Sequence, residues 1–559
     1  MRRRSLAVFR GIVLALFCVI LHARQAPPAA PGIKLFRIAG VVVRHGTNQP
    51  LRRVQVTISL NDHPDKRASV TTSDDGQFTF TDVPQGKFTL LAESHGRLQT
   101  YQQDEQYSTG IVTGPGFDSE HIVFSLLAPT GIKVRVLDEE GEPVRSAQVW
   151  LFRKKITAGW SQIELAQQGN TDSEGISSLA HLQPDTYYVA ADARPWYAQQ
   201  AGVVSGPVTP NGPPAELDVA YAITYYPGSQ DPAAAAPVEI PEGTTAEVQI
   251  ALRAVPAAHI SLAGTAEHSD DVQEQRAPMM AAVEAIGPGG IRLQASGSVF
   301  SFMGSAGEIS GVAPGNYIVS LSQPGGRPAA RNRQVFGQLA VSAGEDTKVG
   351  RPDFTSTGVS GHLIWEGREP LGELVIWLVQ PANGQSAYCR VDHDRSFDCS
   401  ANGRVGSFAP GRYEVRLANN ENLYIKSIAV KGGALVSGLV DVREGSSLQL
   451  SIVVAKGVTK LNGIALKNGV PLSGAMILAV PESREEGLEI PRDQSDSDGT
   501  FTLQDVHPGR YLLLAIDNGH ALEYRNLKII EPYLAQAQVV EISSAAPSTP
   551  VRVVVQGRR

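Results

Sequence analysis

Asp496-Ser497-Asp498-Gly499-Thr500-Phe501, with Asp505-Val506-His507-Pro508-Gly509-Arg510-Tyr511 close behind it, is a pair of turn signals, each leading into an apolar strand. Asp-Gly supplies the positive φ of a tight hairpin, and Pro-Gly makes the next reversal. The same order stands near the N-terminus as Asp74-Asp75-Gly76-Gln77-Phe78 and Asp82-Val83-Pro84-Gln85-Gly86-Lys87-Phe88. Shorter copies are Asp172-Ser173-Glu174-Gly175 with Pro184-Asp185-Thr186-Tyr187, Pro314-Gly315-Asn316-Tyr317, and Ser396-Phe397 with Pro410-Gly411-Arg412-Tyr413. Phe88, Tyr187, Tyr317, Tyr413 and Tyr511 thus mark five units, spaced by about 100 residues except for a longer step from Tyr187 to Tyr317.

Upstream of the hairpin, four units show a proline followed by an alternating strand: Pro50, Pro143, Pro370 and Pro471. The residues four, six and eight places on are Val54/Val56/Ile58, Ala147/Val149/Leu151, Leu374/Ile376/Leu378 and Ala475/Ile477/Ala479. All twelve are apolar, as the inward face of a half-buried strand requires. The place seven after the proline faces outward and holds Thr57, Trp150, Trp377 and Leu478. With about seven strands per unit and no long amphipathic helix, the chain reads as an all-β tandem array of about five β-sandwich domains. The expected limits are a signal peptide over 1–26 and sandwiches over 33–129, 130–255 (with an insertion over 194–241), 256–357, 358–456 and 457–559. The third unit rests on Pro314-Gly315-Asn316-Tyr317 alone: its strand from Met279 to Ile286 alternates poorly and no Asp-Gly-Phe hairpin precedes the tyrosine.

These hairpins, most fully those of the first and fifth units, resemble the carboxypeptidase regulatory-like domain, a transthyretin-like sandwich appended to metallocarboxypeptidases and found in many bacterial exported proteins. The run Leu423 to Gly433 resembles linker-proximal strands of long tandem proteins of that kind. The resemblance implies Greek-key sandwiches (transthyretin-like or Ig-like) of a type often classed with carbohydrate-binding-like folds. It implies no catalysis, because the zinc site of the carboxypeptidases lies in a separate domain.

The sequence points the same way. Twelve histidines are scattered without a paired-histidine zinc motif, and there is no Gly-x-Ser-x-Gly elbow or Walker loop, so neither catalytic residues nor a metal or other cofactor is expected. Asp496-Ser497-Asp498-Gly499 and Asp392-His393-Asp394 open like calcium loops but lack the later ligands. A net charge of −7 and the lack of a Lys/Arg block beyond the N-terminus argue against nucleic acid. Arg2, Arg3, Arg4 and Arg10 precede the apolar run Gly11 to Leu21, the layout of a secretory signal too short to span a bilayer. The expected location is therefore outside the cytoplasm: periplasm, outer surface or extracellular space, with no transmembrane span in the mature chain. In that compartment Cys389 and Cys399, symmetric about Asp394, are expected to form a disulfide across a hairpin, worth roughly 2.8 kcal/mol in the chain-entropy model.

The candidate ligand-binding residues are aromatic. Trp150 and Trp377 lie on outward faces, where an indole can stack on a sugar ring or be covered by neighbouring protein. Trp196, Tyr197, Tyr225 and Tyr226 lie in the insertion of the second unit with Tyr221, and Trp160 lies in the loop after Trp150. Two functions follow: a scaffold or adhesive rod of the cell envelope, using sandwiches as spacers, or a polysaccharide-binding protein using the aromatics. The partner is accordingly a glycan or another envelope protein.

Overall fold

The computed structural model describes residues 34–199, 216–263, 278–303, 307–323, 334–344, 346–350, 357–367, 374–384, 386–399, 410–418, 423–436, 438–483, 489–543 and 549–558. The signal segment thus lies outside the described residues, as do 200–215 of the insertion. Five sandwiches follow one another with a common plan. In each, the first strand lies antiparallel to the strand that precedes the aromatic strand and parallel to the last strand of the unit. The parallel pairs are Phe36–Arg44 with Ile122–Leu126, Gly131–Leu137 with Thr245–Ala251, Ala258–Ala263 with Thr347–Gly350, Gly358–Glu366 with Ser447–Lys456, and Thr459–Lys467 with Val551–Gln556. The facing sheet is built on the proline-led strand and the aromatic strand, paired antiparallel as in Gln148–Thr157 with Asp185–Asp192. The chain crosses to this sheet after the first strand and later returns to pair with it, which is a Greek key. The third unit follows the same plan despite its weak alternation, and Ala281, Val283 and Ala285 are its inward residues.

All twelve residues of the inward set are buried, none more than 6% exposed. Two further features of the repeat become intelligible. In units one, four and five the first strand carries a glycine (Gly40, Gly361, Gly463) directly opposite the hairpin phenylalanine (Phe78, Phe397, Phe501). A Cβ at Gly361 would stand 2.6 Å from Phe397 Cζ and collide with the Leu450 carbonyl oxygen of the parallel strand. In the second unit the same pair is Val134 and Ser177, so the larger and smaller residues have exchanged strands. The recurring tyrosines donate their hydroxyls to the carbonyl four residues back: Tyr187 to Gln183 at 2.8 Å, Tyr317 to Ala313 at 2.7 Å and Tyr511 to His507 at 3.0 Å. This tyrosine corner satisfies a buried hydroxyl and pins the turn before the strand.

The Asp hairpins are tight turns. Gly76, Gly175 and Gly499 have φ near +70 to +78°, and in the fourth unit Arg395 takes the same place at +71°. Asp394 and Asp498 accept from the backbone and hydroxyls of Ser396 and Thr500. The Cys389–Cys399 disulfide is present. The chain does reverse at Asp394, with Val391 opposite Phe397, but Ser386–Arg390 and Ser396–Asp398 then enter opposite sheets. The bond therefore staples one sheet to the other through the core, where both cysteines are 1% exposed.

The five units are not strung out as spacers. Gln494 donates to the Gln102 carbonyl at 2.6 Å, Ser497 N–H to the Gly110 carbonyl at 2.9 Å and Gly110 N–H to Asp496 Oδ1 at 2.9 Å, joining the last sandwich to the first. Arg492, with a side chain 3% exposed, pairs with Asp104 and with Glu105 (2.6 Å) and lies over the Tyr107 ring at 4.8 Å. Burial alone would lower its pKa; the two carboxylates more than offset this and raise it, so it stays charged. Glu105 also accepts from Ala158 N–H, at the tip of the long hairpin of unit two. That hairpin is held by Arg525 of unit five, which donates to the Ala158 carbonyl and forms an ion pair with Glu414 of unit four at 3.0 Å. Units one, two, four and five thus meet at one junction.

Three outcomes test this description. Gly361→Ala should cost about 1–3 kcal/mol by overpacking, read as a lower unfolding midpoint. Arg492→Ala strands Asp104 and Glu105; the junction should lose about 3–5 kcal/mol, seen as a larger radius of gyration by small-angle scattering. Asp496, buried beside Lys87, has its pKa pushed up to about 6, mainly by burial and against the pull of Lys87. A carboxyl that holds its proton more tightly when folded contributes stability fully below its unfolded pKa, and loses that contribution as pH rises through about 6. The junction should therefore be firmer at pH 5 than at pH 7.5 on this account, and Asp496→Asn should flatten the dependence measured by denaturant titration.

Candidate functional site

The outward place of the repeat has a different fate in each of the four units that show it. Thr57 is half-buried and shares a 2.8 Å hydrogen bond with Ser69. Leu478 is 0% exposed because an eight-residue helix, Leu527–Leu534, lays Ile530, Tyr533 and Leu534 over it. Trp150 is 1% exposed, packed with Phe152, Ala190 and Tyr225 into one cluster with Ile260, Val283 and Leu293 of the third unit. It has no free face, and its expected role as a stacking platform is corrected: an apolar outer face beside the next sandwich is covered by it. Trp377 alone keeps a large apolar surface in solvent, 38% exposed.

Trp377 stands directly opposite Tyr388 on one side and Arg416 on the other. The two rings lie 5.6 Å apart with their planes inclined by 41°, and Tyr388 is 37% exposed. Arg416 is fixed by Glu414 Oε2 through Nε at 3.1 Å and Nη2 at 2.7 Å. Burial would lower the Arg416 pKa, but Glu414 more than offsets it. A cleft of about 360 Å³ lies beside the ring, lined by Trp377, Val379, Gly384, Ser386, Arg416 and Leu417. Sequence reasoning named Trp377 and missed Tyr388 and Arg416. Their signal is register: the strand Val375–Val379 pairs with Ser386–Arg390 and Gly411–Ala418, which sets all three side by side.

The aromatics of the second unit do not assemble. Tyr225 and Tyr221 are buried, and Tyr226 packs partly into the core of its own sandwich. Tyr221 donates to Glu139 at 2.9 Å, and Tyr197 donates to the same carboxylate; burial and then Glu139 push the Tyr197 phenol up to about 12. Trp160 lies under the Arg525 guanidinium, 5.7 Å from ring centre to Cζ, as part of the junction. Trp196, next to Tyr197 in an edge-to-face pair, is 87% exposed. Trp196 and Trp377 are thus the tryptophans open to a ligand, and they belong to different units.

Among the described residues no group of three or more His, Cys, Asp or Glu side chains is arranged to hold a metal ion, and no helix is long and apolar enough to cross a membrane. No curated protein matches the chain. Among solved structures, the minor pilin of Streptococcus agalactiae is similar over 39% of this chain and 96% of its own, at 14% identity and a TM-score of 0.21. Two B repeat units of the collagen-binding protein of Staphylococcus aureus are similar over 75% of this chain and all of their own (10% identity, TM-score 0.12). For the RrgB pilus protein of Streptococcus pneumoniae the shares are 76% and 97% (9% identity, TM-score 0.14). Residues 37–116 match the family model of the carboxypeptidase regulatory-like domain, which bears out the resemblance read from Asp74 to Phe88.

Proposed function

We propose that the chain is a non-catalytic, exported binding scaffold whose five sandwiches hold one another in a fixed arrangement and present an aromatic face to a ligand. The observation that carries this reading is the solvent-facing Trp377–Tyr388 pair in a repeat position that is otherwise polar or covered. The signal-like N-terminus and the disulfide support export. Units dividing at 129/130, 255/256, 357/358 and 456/457 form part of the same reading. Bonds between the first and last sandwiches favour a closed scaffold over a rod of spacers. A glycan is the ligand class that suits an open indole, because the apolar side of a pyranose stacks on its flat face.

The test is a glycan and polysaccharide binding screen with the full chain, followed by titration of any hit. Trp377→Ala should weaken binding by about tenfold, roughly 1.4 kcal/mol, with little loss of stability. Trp150→Ala should instead cost about 3–5 kcal/mol of stability. If Trp196→Ala abolishes binding and Trp377→Ala does not, the ligand belongs to the second unit. Absence of saturable binding across a broad panel would remove the glycan reading.

A further inference from the structure

The outer face of the fourth sandwich carries more than two rings. By register, Val375 lies between Arg390 and Ala418, Trp377 between Tyr388 and Arg416, and Val379 between Ser386 and Glu414. Arg390 is exposed and has no ion-pair partner among the described residues. Glu414 is shared, one oxygen facing Arg416 and the other the buried guanidinium of Arg525. Glu489 lies within electrostatic reach of the same pair. Arg416 and Arg525 thus share the carboxylates around Glu414, while Arg390, at the other end of the face, has none; Arg390 and Arg416 both reach solvent, on the two strands that flank that of Trp377.

We infer that this face binds an acidic polysaccharide, Trp377 and Tyr388 stacking on neighbouring sugar rings while Arg390 and Arg416 take carboxylates, an assignment that rests on the aromatic-face reading above. A guanidinium matches a carboxylate in planarity and donor spacing, and Glu414 already fixes the orientation of Arg416 before a ligand arrives. The 41° between the ring planes is what a twisted, soluble chain meets, whereas a flat crystalline surface needs coplanar rings. The cleft of about 360 Å³ beside Trp377 has the size of a site for one or two sugar units.

The experiment is calorimetric titration of the full chain with polygalacturonate and with its methyl ester, which keeps the backbone and removes the charge. The expected result is saturable binding of the acid form, weaker by about tenfold for the ester, at high ionic strength, and in Trp377→Ala and Arg390→Gln, with unfolding midpoints unchanged. Equal binding of acid and ester would overturn the assignment to acidic chains and leave the aromatic-face reading in place. Binding of neither form, with glycans also absent from the screen, removes both. A dimer seen by light scattering and lost in Trp377→Ala would also overturn the inference, since a second copy would then be the occupant.

Discussion

A sandwich covers one face of each of its sheets, and apolar surface on the other face draws a further part of the chain onto it. Where that face is polar, as around Thr57, nothing needs to sit on it. Where it holds Trp150 or Leu478, water is excluded by whatever the chain has at hand: the third sandwich over Trp150, a helix over Leu478. Each large apolar side chain so covered contributes about 1.5–3 kcal/mol, enough to hold the covering element in place. On the fourth sandwich Arg525 covers the face at Glu414, but Trp377 and Tyr388 beside it stay in solvent, with Arg416 on the other side of the indole.

The junction between the first and last sandwiches works differently. Its central groups are charged and buried, Arg492 between Asp104 and Glu105, and Asp496 beside Lys87. Removing such groups from water costs much of what their attraction returns, so a buried ion pair adds little net stability while punishing any misplacement. Charges of this kind fix position. The tip of the second unit's hairpin, with the Ala158 N–H on Glu105 and its carbonyl on Arg525, is held in the same way, and Glu414 carries the restraint on to Arg416 at the edge of the aromatic face. The orientation of the Arg416 guanidinium beside Trp377 is thus tied to contacts that lock the array.

The inner faces were legible because alternation and turn chemistry act over a few residues: the twelve inward positions, the corner tyrosines and the left-handed turns follow from local rules. The fourth hairpin lacked the expected glycine, yet Arg395 takes the left-handed conformation because the strands on either side demand it. The contrast between Trp150 and Trp377 was not legible. Both stand at one repeat position in strands of similar pattern, and their fates differ through contacts with residues more than 100 positions away in the one case and through the absence of such cover in the other. Tyr388 and Arg416 needed the register of three strands, which a one-residue slip would have reversed. The pairing of Arg492 with residues near position 105 has no sequence signal at all, since it joins the ends of the array.

Divergence among the units falls outside the shared core. The Gly40–Phe78 pairing survives as Gly361–Phe397 and Gly463–Phe501, or is exchanged for Val134–Ser177 with the larger residue on the other strand. The hairpin aspartate shows the other behaviour. Asp172 accepts from Glu174 and Ile176 within its own turn, whereas Asp496 turns its carboxylate outward to Gly110 and Lys87 of another sandwich. The backbone of the turn needs only its left-handed residue, so the aspartate is free to take on a contact between units without loss of the hairpin. The same freedom applies to the outward residue of the proline-led strand, which contributes nothing to its own core. Specific function in such a chain is therefore to be sought at the positions the sandwich does not need, and Trp377 is the one of these that faces solvent with an aromatic partner beside it.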